Sequence, residues 1–250
     1  MNPSRLRRAA RNFGTGLVDL LYPARCFTCR SPATEPGLCA SCQDALRPVR
    51  APFCSICGEP YDGEIVDGFI CSNCTGREFD FEFAIAAYLA TGPARSLIHD
   101  FKYHRRIAVR GVLAELAATA LDDPRLDGAE GWLLVPVPLH RRRHRERGYN
   151  QAAEIAVALG HLRELPVCEA LQRHRYTSAQ AQLVRAERLA NLAESFSLRP
   201  SPASRHRVEG AKILLIDDVF TTGATADACA RVLREKGGAE KVVVATVARG

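Results

Sequence analysis

No stretch of the chain approaches the roughly 18 consecutive apolar residues that a membrane-spanning helix needs, so no membrane span is expected. A secretory signal is not expected at the N-terminus either. Met1 to Arg11 is basic and Leu17 to Tyr22 is apolar, but Gly14, Thr15, Gly16 and Asp19 interrupt the apolar part, and no small-residue cleavage site follows. The segment reads instead as a short amphipathic helix over 1–22. The chain has no G-x-x-x-x-G-K-[ST], which excludes a Walker A loop, and no G-x-G-x-x-G for a dinucleotide. Cysteine is nearly absent beyond Cys74, where only Cys168 and Cys229 remain, both read as small buried hydrophobes. No internal repeat appears outside the cysteine pairs.

The other eight cysteines crowd between Cys26 and Cys74. They form four successive C-x-x-C pairs: Cys26 and Cys29, Cys39 and Cys42, Cys54 and Cys57, and Cys71 and Cys74. Each pair places two thiolates on one tetrahedral centre in a tight turn, and two pairs complete a structural four-cysteine zinc site. Sequential pairing gives one zinc to the first four thiols and another to the second four; spacing leaves crossed pairing open. About fifty residues rich in Pro, Gly and Cys bury too little to fold alone, so two structural zinc ions are the expected core of a module at 23–78. Clustered thiols that hold metal belong to a reducing compartment, and the expected location is cytoplasmic. A closed shell of four thiolates has no open position for catalysis. The module's own task is therefore recognition, of nucleic acid such as single-stranded DNA or of a protein partner.

With 47% hydrophobic and 25% charged residues, the chain as a whole has the composition of an ordinary globular protein, and a larger domain is expected over 79–250. Phe81 to Ala90 reads as a strand, and Pro93 opens a helix. Val112, Leu113, Leu116, Ala117, Ala120 and Leu121 recur at helical spacing. Trp132 to Val137 is a buried strand, followed by a basic loop. A helix with Ala152, Ile155, Ala156 and Leu159 on one face follows, with Gly160 as its cap. Val167 to Leu171 is a short strand, Gln172 to Gln182 a long loop, and Arg185 to Leu192 a polar helix. Ile213 to Ile216 is a continuous apolar run of the kind buried on both faces of a parallel sheet. A helix from about Ala224 to Lys236 leads to a last strand, Lys241 to Val247. Strand, helix, strand in this order specifies α/β architecture with a parallel sheet.

Chemistry concentrates at two places. The formal charge of +6 is largely local, since Arg141, Arg142, Arg143, Arg145 and Arg147 face only Glu146. Such a cluster suits phosphate or pyrophosphate, nucleic acid, or a solvated loop. Asp217 and Asp218 end the apolar strand, and ligands of open parallel sheets bind beyond such ends. Thr221, Thr222, Gly223, Ala224 and Thr225 then run into a helix N-terminus. Inward backbone N–H groups, a favourable helix dipole and hydroxyl donors make that turn a phosphate cradle. The two carboxylates suit the neutral hydroxyls of a ribose and a possible magnesium ion.

The run Ile216-Asp217-Asp218-Val219-Phe220-Thr221-Thr222-Gly223-Ala224-Thr225 resembles the phosphoribosyl diphosphate (PRPP) motif of type I phosphoribosyltransferases. The wider pattern resembles the ComF family, linked to DNA uptake in competent bacteria. It includes the paired cysteines, Phe101-Lys102-Tyr103, Val135 to Leu139 leading to Arg147-Gly148-Tyr149-Asn150-Gln151, and Arg185 to Phe196. The resemblance spans nearly the whole chain from Leu20. It implies a type I phosphoribosyltransferase domain behind a double zinc ribbon. Asp217 and Asp218 would hold the ribose hydroxyls, and Thr221 to Thr225 would wrap the 5-phosphate. Leu139 to Gly148, with Arg145 and Arg147, would meet pyrophosphate, and the loop from Gln172 would close as a hood. Lys102, Asn150, Gln151 and Arg188 would add contacts to the pyrophosphate side. The implied reaction displaces pyrophosphate from the anomeric carbon with magnesium present, for an acceptor the residues do not identify. No general base is assigned: His104, His140, His144 and His174 are candidates by type alone.

Overall fold

The computed structural model describes residues 24–63, 65, 68–127, 131–174 and 194–250. The helix expected over 1–22, most of the expected hood, the polar helix at 185–192 and Arg188 lie outside them. The chain divides into two compact units, Met1–Ala45 and Leu46–Gly250. The division falls inside the stretch read as one zinc module, so the second cysteine set folds with the larger unit. In the smaller unit, the described part holds the first cysteine set and one short helix, α1 (Ala40–Asp44).

The larger unit is built on four parallel strands: β1 (Ala84–Leu89), β2 (Trp132–Pro136), β5 (Lys212–Phe220) and β6 (Lys241–Arg249), in the order β1-β6-β5-β2. All three pairings are parallel, as the apolar runs require. Ile213 to Ile216 are each no more than 1% exposed, and each such side chain contributes about 1.5–3 kcal/mol on burial. Neither outer edge is bare. The Val49 N–H donates to Ala87 O at 3.0 Å on the β1 side, and the Cys168 N–H donates to Leu134 O at 2.9 Å on the β2 side. Strands β3 (Leu171–Arg173) and β4 (Phe196–Leu198) form a separate antiparallel pair.

Successive strand residues face opposite ways, and this sorts the core. Leu133, Val135, Ile213, Leu215, Val242 and Val244 share one buried cluster with Cys54, Cys57, Cys71 and Cys74. Ala226, Ala228 and Cys229 of α7 (Ala224–Arg231) join that cluster. Helices α3 (Arg110–Ala118) and α5 (Gln151–Arg163) meet each other and the strands instead. Helix α2 (Gly92–Tyr103) starts with Pro93 as expected. Near the C-terminal end of the sequence, α6 (Pro202–Val208) precedes β5.

Three local expectations are corrected. The basic segment after β2 is a helix, α4 (Arg141–Arg147), rather than a loop. Arginine is a good helix former, Arg142 pairs with Glu146 one turn on at 3.1 Å, and Gly148 closes the helix at φ 88°. Gly160 lies inside α5 and the cap is Glu164. Its smallness serves packing, because a Cβ there would come within 2.7 Å of Val167 Cγ2. The strand carrying Asp217 and Asp218 continues to Phe220, since β6 extends alongside it to Arg249. The expected α7 also changes character at Val232, where Val232–Lys236 forms a π-helical turn.

Candidate functional site

Four elements converge on the acidic pair near the C-terminal end of β5. Asp217 and Asp218 come from β5, Lys102 from the last turn of α2, Arg147 from α4, and Asn150 and Gln151 from the junction into α5. The junction is fastened from both sides. Tyr149 OH donates to Phe101 O at 2.6 Å, and Asn150 Nδ2 donates to Val137 O at 3.0 Å. Lys102 Nζ lies 2.7 Å from Asp218 Oδ1, so as the protein stands Lys102 neutralises the buried acid.

These residues line a cavity of about 320 Å³ that also receives Thr221 and Thr225. A smaller recess of about 60 Å³ lies along Thr221 to Ala226. Gly223, at φ 78°, is the N-cap of α7. A Cβ at Gly223 would meet Phe220 Cζ at 2.9 Å, so both backbone and space demand glycine there. The hydroxyls of Thr221, Thr222 and Thr225 and the amides of Thr221 to Gly223 have no partner among the described residues. These are donors available to an anion.

Gln151 offers a further buried donor beside the cavity. It is 3% exposed, its Oε1 accepts from Arg147 Nη1 at 2.8 Å, and its Nε2 has no partner. An unsatisfied buried donor costs about 1–3 kcal/mol.

Asp217 is the electrostatic focus. Burial and the neighbouring Asp218 carboxylate push it up to about 7, against the opposing pull of Lys102, the Asp218 N–H at 2.9 Å and Arg147. An acid poised near neutrality accepts hydrogen bonds from sugar hydroxyls when ionised and donates one when protonated. Arg145 and Gly148 are separated from this group and line a neighbouring cavity of about 820 Å³. Arg173, within the segment read from sequence as loop, lines both cavities. Nothing in its local sequence marked it, because its position follows from the β3–β4 pairing. Of the four candidate histidines, His144 and His174 line the larger cavity, His140 Nε2 lies 3.2 Å from His174 O, and His104 Nδ1 lies 3.0 Å from Asp100 Oδ1.

The cysteines form two separate clusters, Cys26, Cys29, Cys39, Cys42 and Cys54, Cys57, Cys71, Cys74, each with all sulfurs within 4.8 Å of one another. Zn–S bonds of about 2.3 Å in a tetrahedron put sulfurs about 3.8 Å apart. The Cys29–Cys39 and Cys57–Cys71 sulfur separations, both 3.6 Å, fit that figure. Pairing is thus sequential, and two structural zinc sites fit. Burial raises the thiol of Cys26, but N–H groups at Cys39, Cys29 and Thr28 outweigh it and bring it down to about 6. Cys54 falls to about 7 in the same way, through Cys71, Cys57 and Ile56. Burial, with neighbouring cysteines, pushes Cys42 up to about 12 and Cys57 to about 11, so without an ion the sets are only partly thiolate, and zinc requires thiolates. A third group, His99, Asp100 and His104, also has ligand spacing, but Asp100 is already engaged by Arg106 and His104. Asp217 and Asp218 are not part of any such group among the described residues.

Residues 17–75 match the family model described as a double zinc ribbon domain. Along most of its length the chain is 30% identical to competence protein F of Haemophilus influenzae, over 90% of this chain and 96% of that protein. The chain belongs to the competence protein F (ComF) family. Other relatives are the DNA utilization protein YhgH of Escherichia coli K12, 30% identical over 88% of this chain and 95% of that one. Competence protein ComFC of Bacillus subtilis is 27% identical over 86% and 85%. Among solved structures, the chain is similar to an allosteric regulatory enzyme of purine biosynthesis, at a TM-score of 0.39 and 20% identity. That match covers 59% of this chain and 29% of the enzyme. A glutamine phosphoribosylpyrophosphate amidotransferase from B. subtilis matches at 0.38 and 20%, over 58% and 30%. This ComF chain thus pairs a zinc-ribbon segment with a parallel α/β body. Among its described residues no helix is long and apolar enough to cross a membrane.

Proposed function

We propose that this ComF protein binds PRPP and transfers its ribose 5-phosphate to an acceptor with release of pyrophosphate, in the cytoplasm. The observation that carries the reading is the unpartnered hydroxyl and amide donors of Thr221, Thr222 and Gly223 beside a cavity edged by Asp217 and Asp218. The turn takes the 5-phosphate, while Asp217 takes ribose hydroxyls. Lys102 and Arg147 lie on the cavity wall, where they face the developing charge of the leaving pyrophosphate. Gln151 Nε2 donates to a ligand oxygen and loses its orphan status.

Magnesium would be held chiefly by diphosphate oxygens, with Asp217 as the protein's contribution, and would supply positive charge to the leaving group. The chain's own residues orient the sugar and exclude water from its anomeric carbon. The test is PRPP binding by calorimetry with pyrophosphate release assayed against candidate acceptors. Asp217→Asn together with Asp218→Asn is expected to weaken PRPP at least tenfold with zinc content unchanged. Unchanged affinity would sink the site assignment.

A second reading has support in the names of the relatives, which concern competence and DNA utilization. In it the same cavity senses PRPP without chemistry, and the zinc ribbons act on single-stranded DNA or on a protein of the competence machinery. Binding without turnover, joined to steeply salt-dependent oligonucleotide affinity, selects this reading.

A further inference from the structure

Arg249, the last residue of β6, plays no part in the cavities just described, yet it is only 6% exposed. Its Nη2 lies 4.0 Å from Cys57 Sγ in the second cysteine centre. Its Nη1 donates to Phe220 O at 3.2 Å, and its guanidinium lies 5.4 Å from the centre of the Phe220 ring. The carboxylate of Glu59 pairs with the same guanidinium from the more exposed side. A buried cation needs compensation. Glu59 gives part of it. Four thiolates around one divalent ion carry two surplus negative charges, so N–H groups directed at a ligand sulfur are favoured both as donors and as charge partners.

On its other side Arg249 meets the residue that shapes the hydroxyl-rich turn. Phe220 stands edge-on to Phe81 at 5.9 Å, and its ring occupies the space that a Cβ on Gly223 would need. Phe81 lies in the same buried cluster as the four sulfurs. A second tie runs from the segment after Cys74 to α7: the Asp80 N–H donates to Asp227 Oδ1 at 2.8 Å, and Arg231 pairs with Asp80 at 2.8 Å. The turn is thus flanked on one side by Phe220, which Arg249 contacts, and on the other by α7, which is tied to Asp80.

We propose that Arg249 is a positioning residue linking the second metal centre to the turn. Metal at Cys54, Cys57, Cys71 and Cys74 orients Arg249, Arg249 fixes Phe220, and Phe220 fixes Gly223 in its phosphate-receiving conformation. Calling the turn phosphate-receiving rests on the function proposed above; the mechanical link does not. The chain of contacts also predicts traffic in reverse, with occupation of the turn felt at the metal.

The test uses the full chain loaded with two zinc ions. Arg249→Gln is expected to speed zinc transfer from one of the two centres to a chromogenic chelator by about tenfold. It is also expected to raise hydrogen exchange of the Asp227 amide, which donates to Gly223 O at 2.8 Å, by about tenfold. Wild-type exchange at Asp227 in a zinc-loaded Arg249→Gln protein overturns the proposal. If that variant does not fold, Glu59→Gln is read in the same two ways, with a smaller rise expected and no rise overturning it. PRPP provides the reverse reading: it should shift the thiolate-to-metal absorption of cobalt-substituted wild type and leave that of Arg249→Gln unmoved. Binding of PRPP with no shift in the wild type overturns the link. Absence of PRPP binding removes the proposed function instead, and the exchange and zinc-transfer results still decide the link.

Discussion

The two cysteine centres share one spacing pattern and differ in what surrounds them. In the first, Cys29 is exposed and Cys39 half-buried. In the second, all four sulfurs are buried and lie in one cluster with sheet residues such as Leu215 and Val244. The motif specifies the metal chemistry alone. Whether a centre is a local staple or part of a domain's core depends on the residues that close over it. For the second centre these include Phe81 and Phe220, and Phe220 also borders the candidate site.

The largest expected effect follows directly. Structural zinc contributes on the order of 10 kcal/mol in small metal-dependent folds, comparable to the whole stability of a domain. Cys57→Ser is therefore expected to prevent stable folding of the sheet body. Cys29→Ser should lose one zinc ion while the melting transition of that body moves by no more than about 2 °C. Metal analysis and calorimetry on the two variants check this. Equal damage from both would erase the distinction between the centres.

The same contrast marks how far sequence reading reaches. The C-x-x-C pairs and the apolar run Ile213 to Ile216 were legible because each rests on local chemistry, ligand spacing and two-sided burial; the strand's end was read too early, because its extension to Phe220 depends on pairing with β6. Three further things were not legible. That the second centre joins the sheet core depends on tertiary packing of Phe81 and Val244, separated by most of the chain. The helix at Arg141 to Arg147 was obscured because five arginines look like a solvated loop until Arg142 and Glu146 are seen as an i,i+4 pair. The partnership of Lys102 with Asp218 and the orphan donor on Gln151 exist only where α2, α5 and β5 meet. Asp217 and Asp218 could be picked as candidates from sequence; the burial that pushes Asp217 up could not.

Gly223→Ala probes the boundary between the core of the second centre and the turn. The φ of 78° disfavours any side chain, and Phe220 must withdraw from a 2.9 Å contact. The expected cost is about 1–3 kcal/mol. Zinc content should stay at two ions while PRPP affinity falls by at least tenfold, both measured on the same preparation. Loss of zinc from this variant would show instead that the turn supports the second centre as strongly as the reverse.

The smallest effect compares how burial acts on ionisable groups in the two places. At Cys54, N–H groups of Cys71, Cys57 and Ile56 outweigh burial and favour the thiolate. At Asp217 burial and Asp218 prevail, and the carboxyl rises to about 7. A raised acid means that the folded state keeps a proton the unfolded chain has already released. This contribution to stability is complete below about pH 4 and declines as pH rises toward 7, with no further loss above that. Because Asp217 keeps partial solvent contact, the effect is expected on the order of 1 kcal/mol, or about 2–4 °C in Tm. Asp217→Asn removes the group from titration, so wild type and variant should converge near pH 4 and separate by pH 8, with the variant the more stable. Asp227, raised by burial, adds a slope of the same sign to both proteins and cancels in the difference. Melting curves at pH 4 to 8 decide it, and a variant less stable than wild type at pH 8 would mean that Asp217 is already ionised and well compensated by Lys102 and Arg147.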